Sequence, residues 1–420
     1  MATPKYDILY DIIIIGGGIA GLYKAHQHLK KDPNKKILLL EAANRLGGRI
    51  YTYHDNSTYK SGIEAGAGRF HKGHRKLMNL LKELGLDHLI MPISTNKHYV
   101  PTPNVPPPKT PPSEYIDLVL NIAKTTPKHQ LQTQTFLEYA KKVLPSHHPS
   151  PEQTILDSFG YSTELTDMNA YDTINLIKIH YNNKNYYVLK GGMEQIIDHL
   201  ISQLKYYPNF EYHLREPAID IQPQTPKSQI IQVKTPKNTY TANKCICALI
   251  KEDLEKIPIF RPIHPTLKKI KNFPLCRIYC KFPKDPQTNL PWFHDLPKMT
   301  TNNNLRYIIP INPKEGTIMI SYTDNKYADF WHQIKTVQGT QSLNRELQSQ
   351  LREIFPNKKI PLPTHTKMFY WKHGVAYFQT NFDSTKDLTK IHHPFPNLPI
   401  EICGENYSAN NIQWIEGALE

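Results

Sequence analysis

Three observations predict a mixed α/β fold. A β-branched run from Tyr10 to Ile15 ends in glycines, and a helix-like stretch from Ala20 to Lys31 follows it. A turn at residues 32–34 ends that helix, and a second apolar run, Lys36 to Leu40, comes next. Strand, helix and strand within about thirty residues are typical of one βαβ unit. Later strand-like runs follow a mainly helical stretch at 114–170, so helices and strands share the whole chain.

The remaining predicted elements are spread along the sequence. Helices are expected at Leu77 to Leu84, Tyr115 to Ala123, Thr135 to Val143, Gln341 to Ile354 and Ile412 to Glu420. Strands are expected at Tyr186 to Leu189, Ile230 to Val233, Cys245 to Leu249, Arg277 to Phe282, Tyr307 to Ile311 and Thr317 to Tyr322. The proline-dense stretch Pro101 to Pro112 is interpreted as an extended surface connection, with a docking segment for a partner as the alternative.

Length and composition exclude several classes of protein. The chain has 420 residues, which favours two or three domains, and its 39% hydrophobic and 21% charged residues are typical of a globular protein. No apolar run approaches the roughly 20 residues that span a bilayer. The first seven residues lack the basic-then-apolar order of a signal peptide. We therefore expect a cytoplasmic or otherwise intracellular protein without a membrane anchor, and its Lys-, Asn- and Ile-rich usage indicates an AT-rich genome, such as a viral one.

Cysteine usage and charge argue against metal and nucleic-acid sites. The five cysteines, an odd and sparse set, are Cys245, Cys247, Cys276, Cys280 and Cys403. Both close pairs lie in apolar, strand-like runs, so buried thiols are favoured over zinc ligands and no metal is expected. The net charge is +14, but lysine and arginine are spread along the chain without interleaved aromatics. A solvated basic surface is therefore favoured over nucleic-acid binding.

The segment Gly16 to Gly21 matches the pattern G-x-G-x-x-G between the first strand and the first helix. Gly16 permits a tight turn, Gly18 lets the backbone approach a pyrophosphate, and Gly21 lets helix and strand pack closely. Glu41 follows about 20 residues later, where a carboxylate binds an adenosine ribose and repels the 2′-phosphate of NADP. A glycine turn without a ligand is the alternative. The residues expected at the pyrophosphate are Gly16, Gly18, Ile19, Ala20 and Gly21.

Two further small-residue segments distinguish FAD from NAD. Glu41 to Arg49 continues the second strand into another glycine turn, and Glu64 to Phe70 supplies a loop of Gly and Ala. Such residues allow the backbone to lie against a flat ring system. We therefore expect FAD, with Glu41, Ala42, Arg49, Gly66, Ala67, Gly68 and Arg69 among the residues that bind it.

These segments resemble the N-terminal signature of the flavin amine oxidases, a family that includes monoamine, polyamine and L-amino-acid oxidases. The sequence departs at Ala43, where the family usually has arginine. Val188 to Met193 is similar to the family's Gly-Gly-Met turn, and Ala218 to Ile221 to the strand that packs on the adenine. The C-terminal end resembles the family's last signature, whose helix points at the flavin. The resemblance thus adds cofactor-binding residues at Ala218, Gly404, Glu405, Trp414, Ile415 and Ala418.

The resemblance implies a discontinuous, Rossmann-like FAD-binding domain and an α+β substrate-binding domain. The FAD-binding domain is expected at residues 1–79, 186–254 and 381–420. The substrate domain is expected at 80–185, its helical part, and 255–380, its sheet part. Monoamine oxidases carry a flavin-bound cysteine where this sequence has Ala376, so the FAD is expected to be non-covalent.

The implied reaction is hydride removal from a carbon that bears an amine, followed by imine hydrolysis and release of H2O2 after reaction with O2. Arg277 stands where the family commonly places a lysine near the flavin. An arginine cannot act as a base, but it can position water or bind a carboxylate. Strand alternation puts Lys281 on the same face as a second candidate, and the alternative is that both cations face solvent. Trp414 and Tyr377 match two aromatics that flank the amine, with ordinary core packing as the alternative.

Two other functions stay open. One is a flavin-binding protein with little turnover and a structural or interaction role, which Arg277 and the basic charge support. The other is a flavin desaturase or another oxidase with the same N-terminal signature. Of the remaining polar residues, a catalytic role is the alternative for His71, His74, His392 and His393, but surface histidine is favoured because the chain has 20 histidines. Arg306 is a candidate for binding a substrate carboxylate.

Overall fold

The computed structural model describes residues 8–55, 57–146, 150–181 and 185–420. The first seven residues, on which the prediction about a signal peptide depends, lie outside this range. The strands are β1 (Leu9–Ile15), β2 (Ile37–Leu40), β3 (Thr52–Asp55), β4 (Tyr59–Glu64), β5 (Phe70–His71), β6 (Ile90–Ile93), β7 (His98–Tyr99), β8 (Tyr186–Leu189), β9 (Phe210–His213), β10 (Asp220–Pro223), β11 (Ile231–Lys234), β12 (Thr239–Cys247), β13 (Ile270–Lys281), β14 (Met299–Thr300), β15 (Tyr307–Asn312), β16 (Thr317–Asp324), β17 (His365–Phe378) and β18 (Ile400–Ile402).

The α-helices are α1 (Ile19–Lys31), α2 (Arg75–Glu83), α3 (Pro112–Ile122), α4 (Lys128–Gln132), α5 (Phe136–Val143), α6 (Pro151–Phe159), α7 (Thr163–Thr166), α8 (Ala170–Leu176), α9 (Glu194–Leu204), α10 (Lys251–Leu254), α11 (His264–Leu267), α12 (Asn325–Gln333), α13 (Gly339–Ile354) and α14 (Asp387–His392). Short 3-10 helices lie at Asp87–Leu89, Pro258–Ile263, Pro313–Glu315, Glu405–Tyr407 and Ile415–Leu419, and π-helical turns at Ile177–Tyr181 and Ile334–Gln338.

The first sheet has seven strands in the order β10-β11-β12-β1-β2-β9, and β18 pairs with the end of β12. Its centre is parallel, from β18 through β12, β1 and β2 to β9, whereas β10 and β11 are antiparallel. Both faces of β1 are covered, since Ile13 and Ile15 join one core cluster and Ile12 and Ile14 the other. A strand that is buried on both faces has apolar residues at consecutive positions, which explains the four isoleucines at 12–15.

The second sheet has six strands in the order β17-β13-β16-β15-β14-β7. Its long strands β13 and β17 pair antiparallel, with an irregularity between Phe273 and Leu275. At that point a Cβ on Gly374 would collide with Leu275, so the close approach of the two strands requires glycine there. The helices between residues 112 and 176 form their own core cluster, which packs against Tyr307 of β15. The site described below lies where these helices, this sheet and the first sheet meet.

The predicted α/β fold is confirmed, and most predicted elements appear near their expected positions. Four predictions were wrong in extent. The C-terminal helix expected at Ile412 to Glu420 is a 3-10 turn at Ile415–Leu419, where the Glu416 carboxylate accepts hydrogen bonds from the backbone of α2. Strand β12 begins at Thr239 rather than Cys245, β13 begins at Ile270 rather than Arg277, and β10 begins after Ala218. All five cysteines are free and buried, as expected. The domain bounds stay a prediction.

Candidate active site

In the first glycine turn, Gly16 to Gly21, only one of the glycines has open space where a side chain would lie. A Cβ on Gly16 would collide with the carbonyl oxygen of Ala248, and one on Gly21 with that of Gly16. The fold itself therefore requires these two glycines. Gly18 differs, because its φ of −71° suits any residue and the nearest atom that an added Cβ would meet is the Cα of Gly48, 4.0 Å away. A missing side chain beside empty space is what a closely approaching ligand requires.

The second glycine turn forms the opposite wall of this space. Gly47 donates its backbone N–H to the carbonyl of Gly17 at 2.8 Å, and Gly18 and Gly47 form a parallel bridge. Glu41 lies at the base, where its carboxylate accepts the backbone N–H groups of Gly17 at 2.6 Å and Ala43 at 2.7 Å. The two turns and the acidic residue thus form a cradle at the start of α1, whose shape and donors fit the pyrophosphate of a dinucleotide.

An ion pair joins the N-terminal motif to the C-terminal one. Arg49 donates to a carboxylate oxygen of Glu405 at 2.6 Å and to the carbonyl of Gly374 at 3.0 Å. The other oxygen of Glu405 accepts the backbone N–H of Gln413 at 2.7 Å. The motifs at residues 49 and 404–418, remote in sequence, therefore share one hydrogen-bonded unit. The segment leading to Ala218 lies beside Glu41, because Glu216 donates its N–H to the Glu41 carbonyl at 2.9 Å.

A pocket opens beside this unit, with an empty volume of about 540 Å3 that includes some open solvent. The small-residue loop supplies Ala67, Gly68 and Arg69, and the C-terminal segment supplies Gln413, Trp414 and Ile415. The second sheet contributes Arg277, Tyr322 and Tyr377, and the helical stretch contributes Tyr161, Glu164 and Tyr181. Of the candidate catalytic residues, Arg277, Tyr377 and Trp414 line this pocket. Lys281 does not, and it donates instead to the carbonyl of Thr58 at 3.0 Å.

Arg277 is buried, so the alternative that it faces solvent is wrong. Its guanidinium donates to the carbonyl of Glu64 at 3.0 Å and to the hydroxyl of Tyr322 at 3.0 Å. The third donor, Nε, is buried without a hydrogen-bond partner among the described residues. Burial raises the pKa of Tyr322, but the facing Arg277 guanidinium outweighs it and brings that pKa below its ordinary value. The pair places a fixed positive charge on the pocket wall.

The two aromatic candidates differ in how they are held. Tyr377 is 1% exposed, and its hydroxyl donates to the buried carboxylate of Asp324 at 3.3 Å. Trp414 is 6% exposed and stacks on His180, with ring centroids 4.8 Å apart and planes at 17°. Both side chains also line the pocket, so each has a core-facing and a pocket-facing part.

A chain of histidine hydrogen bonds supports Trp414. His71 and His74 are buried, which corrects their assignment to the surface. The amide of Gly73 donates to Nδ1 of His71 at 3.0 Å, so Nε2 of His71 carries the proton and donates to Nδ1 of His180 at 3.0 Å. Nε2 of His180 in turn donates to the carbonyl of Asn410 at 2.9 Å. Three nitrogens this close can also suggest a metal site, but directed hydrogen bonds account for the positions of His71 and His180.

Replacing His180 by phenylalanine is expected to destabilise the protein by about 1–3 kcal/mol. The aromatic ring on Trp414 is kept, but the buried Nε2–H of His71 loses its acceptor. Urea unfolding of flavin-free protein measures the change. H98F, at an exposed position on β7, is the matched control and should unfold like the parent. Equal stability of H180F and the parent would contradict the hydrogen-bond chain.

Two ionisable groups in the pocket lack a full set of partners. Arg69 is half-buried, and its guanidinium carbon lies 4.7 Å from the ring centroid of Tyr186 and 5.5 Å from that of Trp414. Among the described residues it has no hydrogen-bond or ion-pair partner. Glu164 is 2% exposed, and its Oε1 accepts the hydroxyl of Tyr181 at 2.8 Å. Its Oε2 is buried without a partner among the described residues.

Glu164 should make a contribution to the stability of the flavin-free protein that falls as pH rises. Burial raises the pKa of this carboxyl from 4.5 to about 8. The folded state therefore holds a proton that the unfolded state has released, and stability present below about pH 4.5 is lost between there and about pH 8. Glu164→Gln cannot titrate. We expect the free energy of unfolding of E164Q, measured by urea at several pH values, to depend less on pH in this window, and parallel curves would contradict the assignment.

Comparison with known proteins identifies the family. The model of the flavin-containing amine oxidoreductases matches residues 19–420. The chain belongs to this family. A solved structure described as a redesigned putrescine oxidase double mutant superimposes with a TM-score of 0.77, covers 98% of this chain and 97% of its own, and is 16% identical, which shows the shared fold.

Two relatives extend the comparison. A segment of this amine oxidoreductase is 42% identical over 76 residues to mouse L-amino-acid oxidase, and the match spans 18% of this chain and 12% of that enzyme. An uncharacterized protein of Acanthamoeba polyphaga mimivirus is 23% identical over 99% of this chain and 93% of its own length. Every helix of the described chain is too short or too polar to cross a lipid bilayer.

The pocket residues that the helical stretch contributes were not predicted from the sequence. Tyr161, Glu164 and Tyr181 belong to a stretch that the family resemblance left unassigned, and no local motif marks them. Arg306, a candidate for a substrate carboxylate, is instead fully buried and outside the pocket. It donates to the carbonyl of Leu156 and pairs with Asp157 at 3.4 Å. Membership of the flavin-containing amine oxidoreductases supports a flavin oxidoreductase, and its substrate and finer assignments follow as proposals.

Proposed function

We propose that this chain is an FAD-dependent oxidase of an amino acid, which converts the carbon–nitrogen bond to an imine, uses O2 as acceptor and releases H2O2. The observation that carries the choice of an amino acid over a simple amine is Arg69. This guanidinium lines the same pocket as Trp414 and Tyr377 and has no anionic partner among the described residues. A carboxylate would supply that partner, since an arginine fork binds it through two parallel hydrogen bonds.

The residues present fit FAD. The cradle of Gly16, Gly18 and Glu41 would hold the pyrophosphate and the ribose, and the loop of Ala67 and Gly68 would face the ring system. When bound, the flavin supplies the hydride acceptor and the reaction with O2. We propose non-covalent binding because Ala376 stands where monoamine oxidases carry a flavin-bound cysteine and none of the five described cysteines lines the pocket.

The pocket residues have separate proposed roles. Arg69 holds the substrate carboxylate, and the faces of Trp414 and Tyr377 confine the amine. Arg277 provides a positive charge and a free Nε donor, which can hold a water molecule or stabilise negative charge beside the substrate. Arg277, Tyr377 and Trp414 are buried, and the contacts to the carboxylate and the amine would hold the carbon–hydrogen bond in one orientation.

Arg277→Met is expected to slow turnover by roughly a hundredfold to a thousandfold, the range observed when one preorganised donor is lost. Methionine keeps much of the bulk but removes the charge and every N–H donor of the guanidinium. Stopped-flow absorbance separates flavin reduction from reoxidation. R277K, which keeps the charge, should recover part of the rate. Unchanged rates in R277M would show that Arg277 has a packing role only.

The proposed function is tested by the visible spectrum of FAD-reconstituted protein and by anaerobic mixing with amino acids and amines. We expect a bound-flavin spectrum that bleaches with an amino acid and a peroxide signal after air is admitted. A bound flavin that no substrate reduces would favour the flavin-binding protein with little turnover, which Arg277 at the lysine position supports. Reduction by an alkene precursor alone would favour a desaturase.

A further inference from the structure

We infer that the substrate carries a second cationic group at the end of its side chain, and that Glu164 binds it. The substrate class is then an amino acid with a basic side chain, such as a diamino monocarboxylic acid. This inference rests on the proposed function, because Arg69 is assigned there to the α-carboxylate.

The first argument is the unpaired oxygen of Glu164. The side chain is 2% exposed, lines the pocket and receives one hydrogen bond, from Tyr181 to Oε1 at 2.8 Å. Oε2 is buried and has no partner among the described residues. A buried acceptor without a partner costs about 1–3 kcal/mol, and more when it is charged. An ammonium or guanidinium group of a ligand would supply the missing donor.

The second argument is the placement of opposite charges around one ring. The guanidinium carbon of Arg69 lies 5.5 Å from the ring centroid of Trp414. The ring of Tyr181, whose hydroxyl reaches Glu164, has its centroid 6.2 Å from the same Trp414 ring. The pocket therefore offers an anion-binding group and a cation-binding group, and both line it together with the aromatic that is proposed to confine the amine. Such a pair orients a substrate that has both charges.

The described cations near Glu164 do not donate a hydrogen bond to its Oε2 atom, so a cation of the ligand can do so. Arg69 and Lys97 both lower the pKa of Glu164, and Asp324 raises it, but neither cation donates a hydrogen bond to Glu164 among the described contacts. Lys97 donates instead to the carbonyl of Ser158 at 2.9 Å. Burial dominates and raises the pKa of Glu164 to about 8. A bound ammonium must therefore displace a proton, so affinity for a basic amino acid should rise with pH up to about 8.

The test compares lysine with norleucine, which has the same chain without the terminal amine. Both enantiomers of each are titrated into FAD-reconstituted protein, by flavin difference spectra and calorimetry for binding and by anaerobic flavin reduction for turnover. We expect lysine to be preferred roughly tenfold or more in kcat/KM and in affinity, and Glu164→Gln to remove most of that preference. Glu114→Gln, at an exposed position on α3, is the matched control and should keep it.

Several outcomes would overturn the inference. Equal use of norleucine and lysine would leave the proposed function standing and remove the cation subsite, as would a lysine preference that survives in E164Q. A preference for glutamate would show that cations around the pocket, rather than Glu164, select the side chain. An equal kcat/KM for cadaverine and lysine would show that the pocket does not recognise the substrate carboxylate. If no amino acid is oxidised, the proposed function fails, but the binding titrations still decide whether lysine is selected through Glu164.

Discussion

Gly18→Ala is expected to weaken FAD binding by about 1–3 kcal/mol, roughly fivefold to 160-fold, while the flavin-free protein stays folded. The backbone at Gly18 suits alanine, and its Cβ would meet no atom closer than 4.0 Å. The added methyl would therefore occupy only the space of the cradle, where we expect the pyrophosphate. Calorimetric titration of flavin-free protein with FAD gives the affinity, and urea unfolding gives the stability.

Gly21→Ala is the informative comparison. A methyl there would collide with the carbonyl of Gly16, so helix α1 would have to move away from β1. We expect G21A to lose stability even without FAD, in contrast to G18A. If G18A binds FAD as well as the parent protein, the pyrophosphate does not lie against this turn and the cofactor assignment fails.

The nucleotide end of the molecule could be predicted from the sequence because its constraints are local. The β1–α1–β2 unit, its glycines and Glu41 lie within about 30 residues. The positions where the backbone requires glycine are therefore close together in the sequence and form a recognisable motif. Similarly, buried parallel strands read as apolar runs. The extent of β13 was harder to predict, since Asn272 and Pro274 interrupt its apolar pattern and its pairing with β17 is set by partners about a hundred residues away.

The substrate end could not be predicted in the same way. Tyr161 and Tyr322 have ring centroids 5.0 Å apart although they lie on different elements, and nothing in either local sequence indicates the other. The burial of His71 and His74 likewise depends on His180 and Asn410, which follow much later in the chain. Composition made surface histidine the better expectation, because the chain has 20 histidines. Pocket residues contributed by irregular helices carry no periodic signal of their own.

Arg69→Gln is expected to lower kcat/KM for amino acids by about 2–5 kcal/mol, roughly thirtyfold to several thousandfold. Glutamine keeps a polar, hydrogen-bonding head on a shorter side chain but loses the charge and the fork that match a carboxylate. The loss should fall mainly on KM, because the carboxylate is held equally before and during hydride removal. Steady-state peroxide assays with an amino acid and with the corresponding amine, which lacks the carboxylate, measure the effect.

The amine comparison decides between two roles for Arg69, since sequence analysis placed it among the cofactor-binding residues. If Arg69 binds substrate, R69Q should penalise the amino acid far more than the amine and leave FAD affinity unchanged. R69K should lie between R69Q and the parent, because an ammonium keeps the charge without the bidentate geometry. R345Q, at an exposed position on α13, controls for loss of one positive charge. An equal loss of kcat/KM for the amino acid and the amine, together with weaker FAD binding, would show that Arg69 binds the cofactor. The substrate carboxylate would then have no assigned partner.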